Sequence, residues 1–151
     1  DTHGHAVGDL CLRAFVGAVK ANIRQTDTLA RFGGEEFTLI MPETGLEAAT
    51  ALCERLREAV ARASVTTTKA QIDFTVSIGV TVCDPGETSL DPALARADTA
   101  LYAAKNKGRN RVRVATPPRM PDGPKPETDI VVRDSQATDK AGSGKRAARA
   151  V

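Results

Sequence analysis

Two glycines followed directly by two glutamates stand between short apolar runs in the segment R31-F-G-G-E-E-F37. A tight turn requires glycine, but it does not require a pair of adjacent carboxylates. Glycine lets phosphate groups approach backbone N–H groups closely, and carboxylate and phosphate oxygens are the ligands that Mg²⁺ prefers. The pattern would suit a phosphate-bound cation, but on composition alone an exposed hairpin turn with two solvated acids is favoured, because Gly-Gly turns and acids at turns are common.

The overall composition indicates one domain with an aliphatic core. The chain has 151 residues, of which 41% are hydrophobic and only 3% aromatic, so Ala, Leu, Val and Ile must supply most of the core. A formal net charge of +2 gives no reason to propose a nucleic-acid polymer or a membrane surface as partner. No apolar run approaches the ~20 residues that a membrane-spanning helix requires.

The cysteines favour a reduced compartment. Cys11, Cys53 and Cys83 are widely spaced, odd in number and free of any C-x-x-C pattern. This spacing argues against disulfides and zinc binding and favours a cytoplasmic location. The chain starts at Asp1 rather than at Met, so we expect a fragment of a longer parent protein. In that protein we expect an upstream sensor domain, and the upstream region could also contain a membrane anchor.

The composition changes near Thr116. From there to Val151 the chain is rich in Pro, Gly, Ser, Lys and Asp, and its only apolar run is I130-V-V132. Such a segment buries too little surface to offset the entropy lost on ordering. We therefore predict a domain over residues 1–115 and a disordered tail over residues 116–151.

The first half of the domain predicts a helix, a hairpin and a second helix. Apolar residues at i, i+3 and i+4 spacing indicate a helix from Val7 to about Ile23. Residues 28–32 and 37–41 read as two strands joined at the glycines. Thr44 with Glu47 three residues later forms a capping box that opens the second helix.

The second half predicts a strand, a helix and a short edge strand. Residues 74–82 alternate apolar and small polar types, which is typical of a strand with one buried face. A helix starts at Asp91 and ends before Gly108, and residues 111–114 can form the edge strand. The resulting order α-β-β-α-β-α-β predicts an α+β sandwich with a largely antiparallel central sheet and flanking helices.

Four motifs in order resemble the GGDEF-domain family of diguanylate cyclases. They are G4-H-A-V-G-D9, G33-G-E-E-F37, T75-V-S-I-G-V80 and A97-D-T-A-L-Y-A-A-K-N-K-G-R-N-R111. The resemblance implies a ferredoxin-like fold similar to the palm of nucleotide cyclases and polymerases. It also implies condensation of two GTP molecules into cyclic di-GMP, with release of pyrophosphate, by a homodimer in which each subunit presents one GTP.

The resemblance assigns roles to individual residues. Glu35 would be a metal ligand and possible base, and Glu36 would support the same Mg²⁺ or Mn²⁺ ion. Asp9 would read guanine through its N1–H and N2–H₂ groups, whereas a helix-start acid is the plain alternative. The residues expected to contact the GTP phosphates are Gly33, Gly34, Lys105 and Arg109.

A second ligand site is implied before the hairpin. R24-Q-T-D27 stands at the spacing of the family's inhibitory R-x-x-D motif, the I-site, and Arg55 matches a secondary arginine of that site. In the family these residues hold cyclic di-GMP as a feedback inhibitor. A helix-end arginine beside a turn aspartate is the plain alternative. His3 and His5 lack a third ligand at suitable spacing for a metal site.

The family's opening strand, with its metal-binding aspartate, and the following Asn are absent from this chain. We therefore expect residues 1–115 to be a partial domain with unpaired neighbouring strands, reduced stability and little activity of its own. Two other functions stay open. One is a non-catalytic module that binds nucleotides or senses cyclic di-GMP through Arg24, Asp27 and Arg55. The other, favoured less, is a purely dimerising output domain.

Overall fold

The computed structural model describes residues 5–68, 70–118 and 130–137. Along these ranges each helix is followed by two or three strands. In chain order the elements are α1 (His5–Lys20), β1 (Thr28–Gly33), β2 (Glu36–Met41), α2 (Leu46–Arg62), β3 (Ser64–Thr66), β4 (Gln71–Asp73), β5 (Thr75–Val82), α3 (Asp91–Asn106), β6 (Val112–Val114) and β7 (Ile130–Ala137).

The main sheet has five strands in the order β1-β2-β7-β5-β6. All neighbours pair antiparallel except β5 and β6, which are parallel. This confirms the predicted α+β class with a mostly antiparallel sheet. β3 and β4 form a separate hairpin that the sequence did not predict, because strands of three residues are too short to show a period.

Helices cover both faces of the main sheet. α1 and α2 pack on one face, where Phe15, Phe37 and Val60 share the larger core. α3 packs on the other face, where its Ala93 and Ala97 contact Val131 of β7. None of the helices in the described ranges combines the length and apolar character that crossing a bilayer requires.

Strand β5 is buried on both faces, so the prediction of one buried face is wrong. α2 lies against one face of β5 and α3 against the other. Gly79 permits the close approach of α3, since a Cβ built there would lie 2.1 Å from the carbonyl oxygen of Ala97 and 2.5 Å from the backbone nitrogen of Leu101. The face that α3 covers also holds small polar residues, since Ser77 and Thr81 lie on the same side of β5 as Gly79 and have no exposed surface.

The ends of the first two helices differ from the prediction. α2 begins at Leu46 with Gly45 as its N-cap and has no side-chain cap, so the capping box is wrong. Thr44 is buried, and its hydroxyl donates to the carbonyl oxygen of Pro42 at 2.9 Å instead of reaching the helix. α1 runs from His5 to Lys20 rather than from Val7 to about Ile23. The start of α3 at Asp91 is confirmed.

The C-terminal segment contains a strand where the sequence predicted a disordered tail. Residues 130–137 pair with β2 along one edge and with β5 along the other. Composition missed this element because a strand between two partners gains hydrogen bonds on both edges, so a short apolar run such as Val131 and Val132, both buried, can be sufficient. Residues 119–129 and 138–151 lie outside the described residues. The domain boundary near residue 115 stays a prediction.

Candidate functional site

The turn between β1 and β2 places a glutamate at its tip. Gly33 pairs with Glu36, so the loop consists of Gly34 and Glu35, one position later than the predicted Gly-Gly turn. Gly34 has a φ of +52°, which favours glycine at the first position of a two-residue hairpin loop. Arg31 clamps the turn, because its Nε donates to the carbonyl oxygen of Gly34 at 2.8 Å and its Nη2 donates to the same atom.

Glu35 is a half-buried acid with an unused oxygen. Its Oε1 is buried and has no hydrogen-bond partner among the described residues. Burial raises the pKa of Glu35 to about 7, while the charge of Lys105 lowers this pKa and that of Glu36 raises it. A buried carboxylate oxygen without a partner costs free energy, and a bound cation would remove that cost.

Glu36 lies next to Glu35 in the chain and begins β2. Its side chain is 46% exposed, and its Oε2 lies 3.9 Å from Nη1 of Arg133 on β7. The sequence did not predict that Arg133 reaches this carboxylate, because the arginine is 97 residues further along the chain and was placed in the tail. The sequence marks Arg133 only as a charged residue directly after the apolar run 130–132.

The two carboxylates fit a cation that also binds phosphate. Within the described ranges no group of three or more His, Cys, Asp or Glu residues could hold a metal ion. Mg²⁺ commonly takes one or two protein carboxylates and completes its shell with substrate phosphates and water. Glu35 and Glu36 match this kind of site, and Gly34 keeps the backbone beside them accessible.

Asp9 faces the same region from α1. A groove of about 560 Å³ runs between α1 and the hairpin. Its lining contains Asp9 with four further residues of α1, and Arg31 is the hairpin residue that joins the groove to the turn. The full set of lining residues is Asp9, Leu12, Arg13, Val16, Lys20, Leu29, Arg31 and Phe37. The size suits a small organic ligand, with charged groups along an apolar floor.

Lys105 and Arg109 lie at the C-terminal end of α3. Lys105 is half-buried and close enough to Glu35 for its charge to affect that pKa. Arg109 is exposed in the loop after the helix, with a φ of +57°, and its backbone N–H donates to the carbonyl oxygen of Ala104 at 3.1 Å. Gly108 precedes it with a φ of +103°, as predicted for the residue after the helix C-cap. The structure thus brings Lys105 to the turn.

Arg24 and Asp27 form a compact turn between α1 and β1. The backbone N–H of Arg24 donates to Oδ2 of Asp27 at 2.8 Å, and the N–H of Asp27 donates to the carbonyl oxygen of Arg24 at 3.1 Å. Oδ1 of Asp27 is buried without a hydrogen-bond partner in the described part of the chain. The Arg24 side chain is exposed, as is Arg55 on α2. His3 lies outside the described residues.

Comparison with known proteins identifies the family. The family model described as "Diguanylate cyclase, GGDEF domain" matches residues 1–111. "Diguanylate cyclase A" of Treponema denticola is 42% identical over 112 residues, which cover 74% of this chain and 30% of the relative. The chain therefore spans less than a third of that protein.

Solved structures agree in fold. Diguanylate cyclase SiaD of Pseudomonas aeruginosa, crystallised in complex with its activator SiaC, gives a TM-score of 0.73 at 37% identity, covering 76% of this chain and 44% of that one. The GGDEF domain of DgcB from Caulobacter crescentus, crystallised with c-di-GMP, gives 0.71 at 35% identity, covering 76% and 68%.

Proposed function

Because this chain belongs to the diguanylate cyclase GGDEF domain family, we propose that the protein containing it condenses two GTP molecules into cyclic di-GMP and releases pyrophosphate. The observation that carries this proposal is the buried Oε1 of Glu35, which has no hydrogen-bond partner in the described part of the chain and lies at a turn shared with Gly34 and beside Glu36. That arrangement suits the phosphate end of a nucleotide better than it suits a solvated turn. The reaction needs two nucleotides, so we propose a homodimer in which each subunit presents one.

The hairpin would act on the reacting groups. Glu35 and Glu36 would hold Mg²⁺ or Mn²⁺, which supplies charge neutralisation at the phosphates. The backbone at Gly33 and Gly34 would approach the phosphate oxygens. Glu35, as a carboxylate, would also accept the proton of an attacking 3′-hydroxyl.

The groove and α3 would position the nucleotide. The carboxylate of Asp9 lines the groove, where it can accept hydrogen bonds from two N–H groups of guanine, a pattern that adenine does not offer. Lys105, whose charge already acts on Glu35, would contact phosphate oxygens, and Arg109 would add a planar fork from the next loop. Guanine selection and phosphate binding therefore fall to different elements.

The first test replaces Glu35 in the protein at its natural length. We expect Glu35→Gln to lower cyclic di-GMP formation by about 100-fold or more, because an uncharged amide cannot replace the carboxylate at the cation. Product formation from GTP and Mg²⁺ is followed by chromatography. Glu47→Gln, an exposed acid in the first turn of α2, is the matched control and should keep full activity. Equal activity of the Glu35→Gln protein and the unmodified protein would show the proposed role to be wrong.

A second ligand site is supported by the turn at Arg24 and Asp27. We propose that the two residues, with Arg55, bind cyclic di-GMP as a feedback inhibitor, since Oδ1 of Asp27 is buried and has no partner among the residues that the structure describes, while Arg24 is exposed. The DgcB domain was crystallised with c-di-GMP, which supports product binding within the family.

Calorimetric titration with cyclic di-GMP tests this second site. Arg24→Ala is expected to weaken binding about 10- to 100-fold, the usual loss for a charge-assisted contact, while Gln25→Ala, its exposed neighbour, should bind normally. Unchanged affinity in the Arg24→Ala protein would contradict the assignment. Tight binding by a protein that never forms product would instead favour the sensor module.

The cellular setting follows as part of the same proposal. We propose a cytoplasmic location, where GTP is available, and an upstream sensor domain that controls the cyclase. SiaD was crystallised with an activator, which supports control by a partner within the family.

A further inference from the structure

The central strand of the sheet comes from the C-terminal segment of the chain. β7 is antiparallel to β2 and β5, and its register sets Arg133 opposite Thr38 on one side and Gly79 on the other. Directly opposed residues share a face of the sheet and successive residues alternate between faces. Arg133 therefore lies on the face covered by α3, whereas Val132 packs into the core with α1 and α2.

Arg133 joins three elements around the candidate cation site. Only 5% of the residue is exposed. Its Nη1 lies 3.9 Å from Oε2 of Glu36 on β2, and its Nε lies 3.1 Å from Oδ1 of Asp98 on α3. Its guanidinium carbon also lies 3.9 Å from the centre of the Phe32 ring on β1. A buried positive charge thus sits against one of the two carboxylates of the hairpin.

Among the described residues, Arg133 is held by ion pairs with Glu36 and Asp98 rather than by hydrogen bonds. The Asp98 contact lies outside hydrogen-bond geometry, so Nε has no hydrogen bond among the described residues. The flanking hydroxyls of Thr38 and Ser77 are also buried without partners in the described part of the chain. Glu36 and Asp98 are 46% and 52% exposed, so water can solvate both if the arginine leaves.

We propose that β7 is an intrachain antagonist of cation binding at the hairpin, in which Arg133 competes with a divalent cation for Glu36. The inference rests on the proposed function, because it assumes that Glu35 and Glu36 hold the cation. A guanidinium stays charged at any physiological pH and repels a second cation placed on the same carboxylate. Relief therefore requires movement of the side chain or of β7 and cannot come from loss of a proton.

Removal of the charge tests the competition directly. Arg133→Met keeps an unbranched apolar stem and deletes the guanidinium. We expect it to bind Mn²⁺ about tenfold more tightly than the unmodified chain, as measured by electron paramagnetic resonance of free Mn²⁺. Arg133→Lys keeps a positive charge at the site and should stay near the unmodified affinity.

The matched control is Arg62→Met, which removes one positive charge from the exposed C-terminal turn of α2. It should leave Mn²⁺ affinity unchanged, which separates a local effect from one of net charge. Circular dichroism establishes that each variant is folded. Equal Mn²⁺ affinity in folded Arg133→Met and the unmodified chain would overturn the inference but leave the cation site standing. Absence of binding in all four proteins would overturn the cation site itself, and the inference with it.

A second measurement needs no substitution. If the cation and Arg133 compete, saturating Mg²⁺ should loosen β7 and speed amide hydrogen exchange at residues 131–133 by about tenfold. Exchange at Val76 on β5, which is buried beside the same strand, should change less. Unchanged or slower exchange at residues 131–133 in the presence of bound cation would refute the competition, even if Arg133→Met failed to fold.

Discussion

Replacing Gly79 with alanine is expected to lower the free energy of unfolding by about 3–5 kcal/mol, a large part of the total for a domain of this size. The added Cβ would lie 2.1 Å from the carbonyl oxygen of Ala97 and 2.5 Å from the backbone nitrogen of Leu101. Both atoms belong to the backbone of α3 and cannot turn aside as a flexible side chain could. The helix must move away from the sheet, and its alanine contacts with β5 and β7 are lost.

Denaturant unfolding followed by circular dichroism measures this effect. Gly17→Ala is the control, because Gly17 is an exposed residue in the middle of α1. A Cβ built there would meet no other atom within 4 Å. That substitution should raise the free energy of unfolding by about 0.5–1 kcal/mol, since alanine has the better helix propensity. If Gly79→Ala changed stability by less than about 1 kcal/mol, the close packing of α3 on β5 would be wrong.

Local patterns predicted the elements that lie close together in the chain. The period of α1, the glycines between β1 and β2 and the Asp91 start of α3 each depend on neighbouring residues, and each prediction is confirmed apart from small shifts at the ends. The two buried faces of β5 depend instead on where α2 and α3 pack. No local period reports such packing, so the sequence predicted one buried face.

In the candidate site, too, the features that depend on neighbouring residues were predicted, and those that depend on packing were not. Glu35, Glu36 and Asp9 stand in recognisable motifs, so their types and spacing were sufficient to select them. The pKa of Glu35 and its unused oxygen arise from burial in the folded chain, which sequence spacing does not report. Arg133 was missed because a contact across nearly a hundred residues depends on strand pairing, and composition alone argued for disorder there.

Ending the chain after Pro118 is expected to abolish cooperative unfolding and to cause self-association. The sequence predicted unpaired strands within the sheet, and β7 supplies the missing partner for both β2 and β5. Its removal would expose two strand edges and lose the burial of Val131 and Val132, worth about 1.5–3 kcal/mol each. The sum, about 3–6 kcal/mol, reaches the lower end of the total stability of about 5–15 kcal/mol that is typical of a domain, before any loss of hydrogen bonds is counted.

Light scattering and denaturant unfolding of two shortened chains would test the role of β7 in stability. A chain that ends after Ala137 keeps the strand and should unfold like the full chain, whereas the chain that ends after Pro118 should aggregate or unfold without a sharp transition. A monomeric, cooperatively folded chain ending at Pro118 would contradict the prediction. Because Arg133→Met keeps the strand and removes only its charge, the two experiments separate what β7 contributes to the sheet from what it does to the cation site.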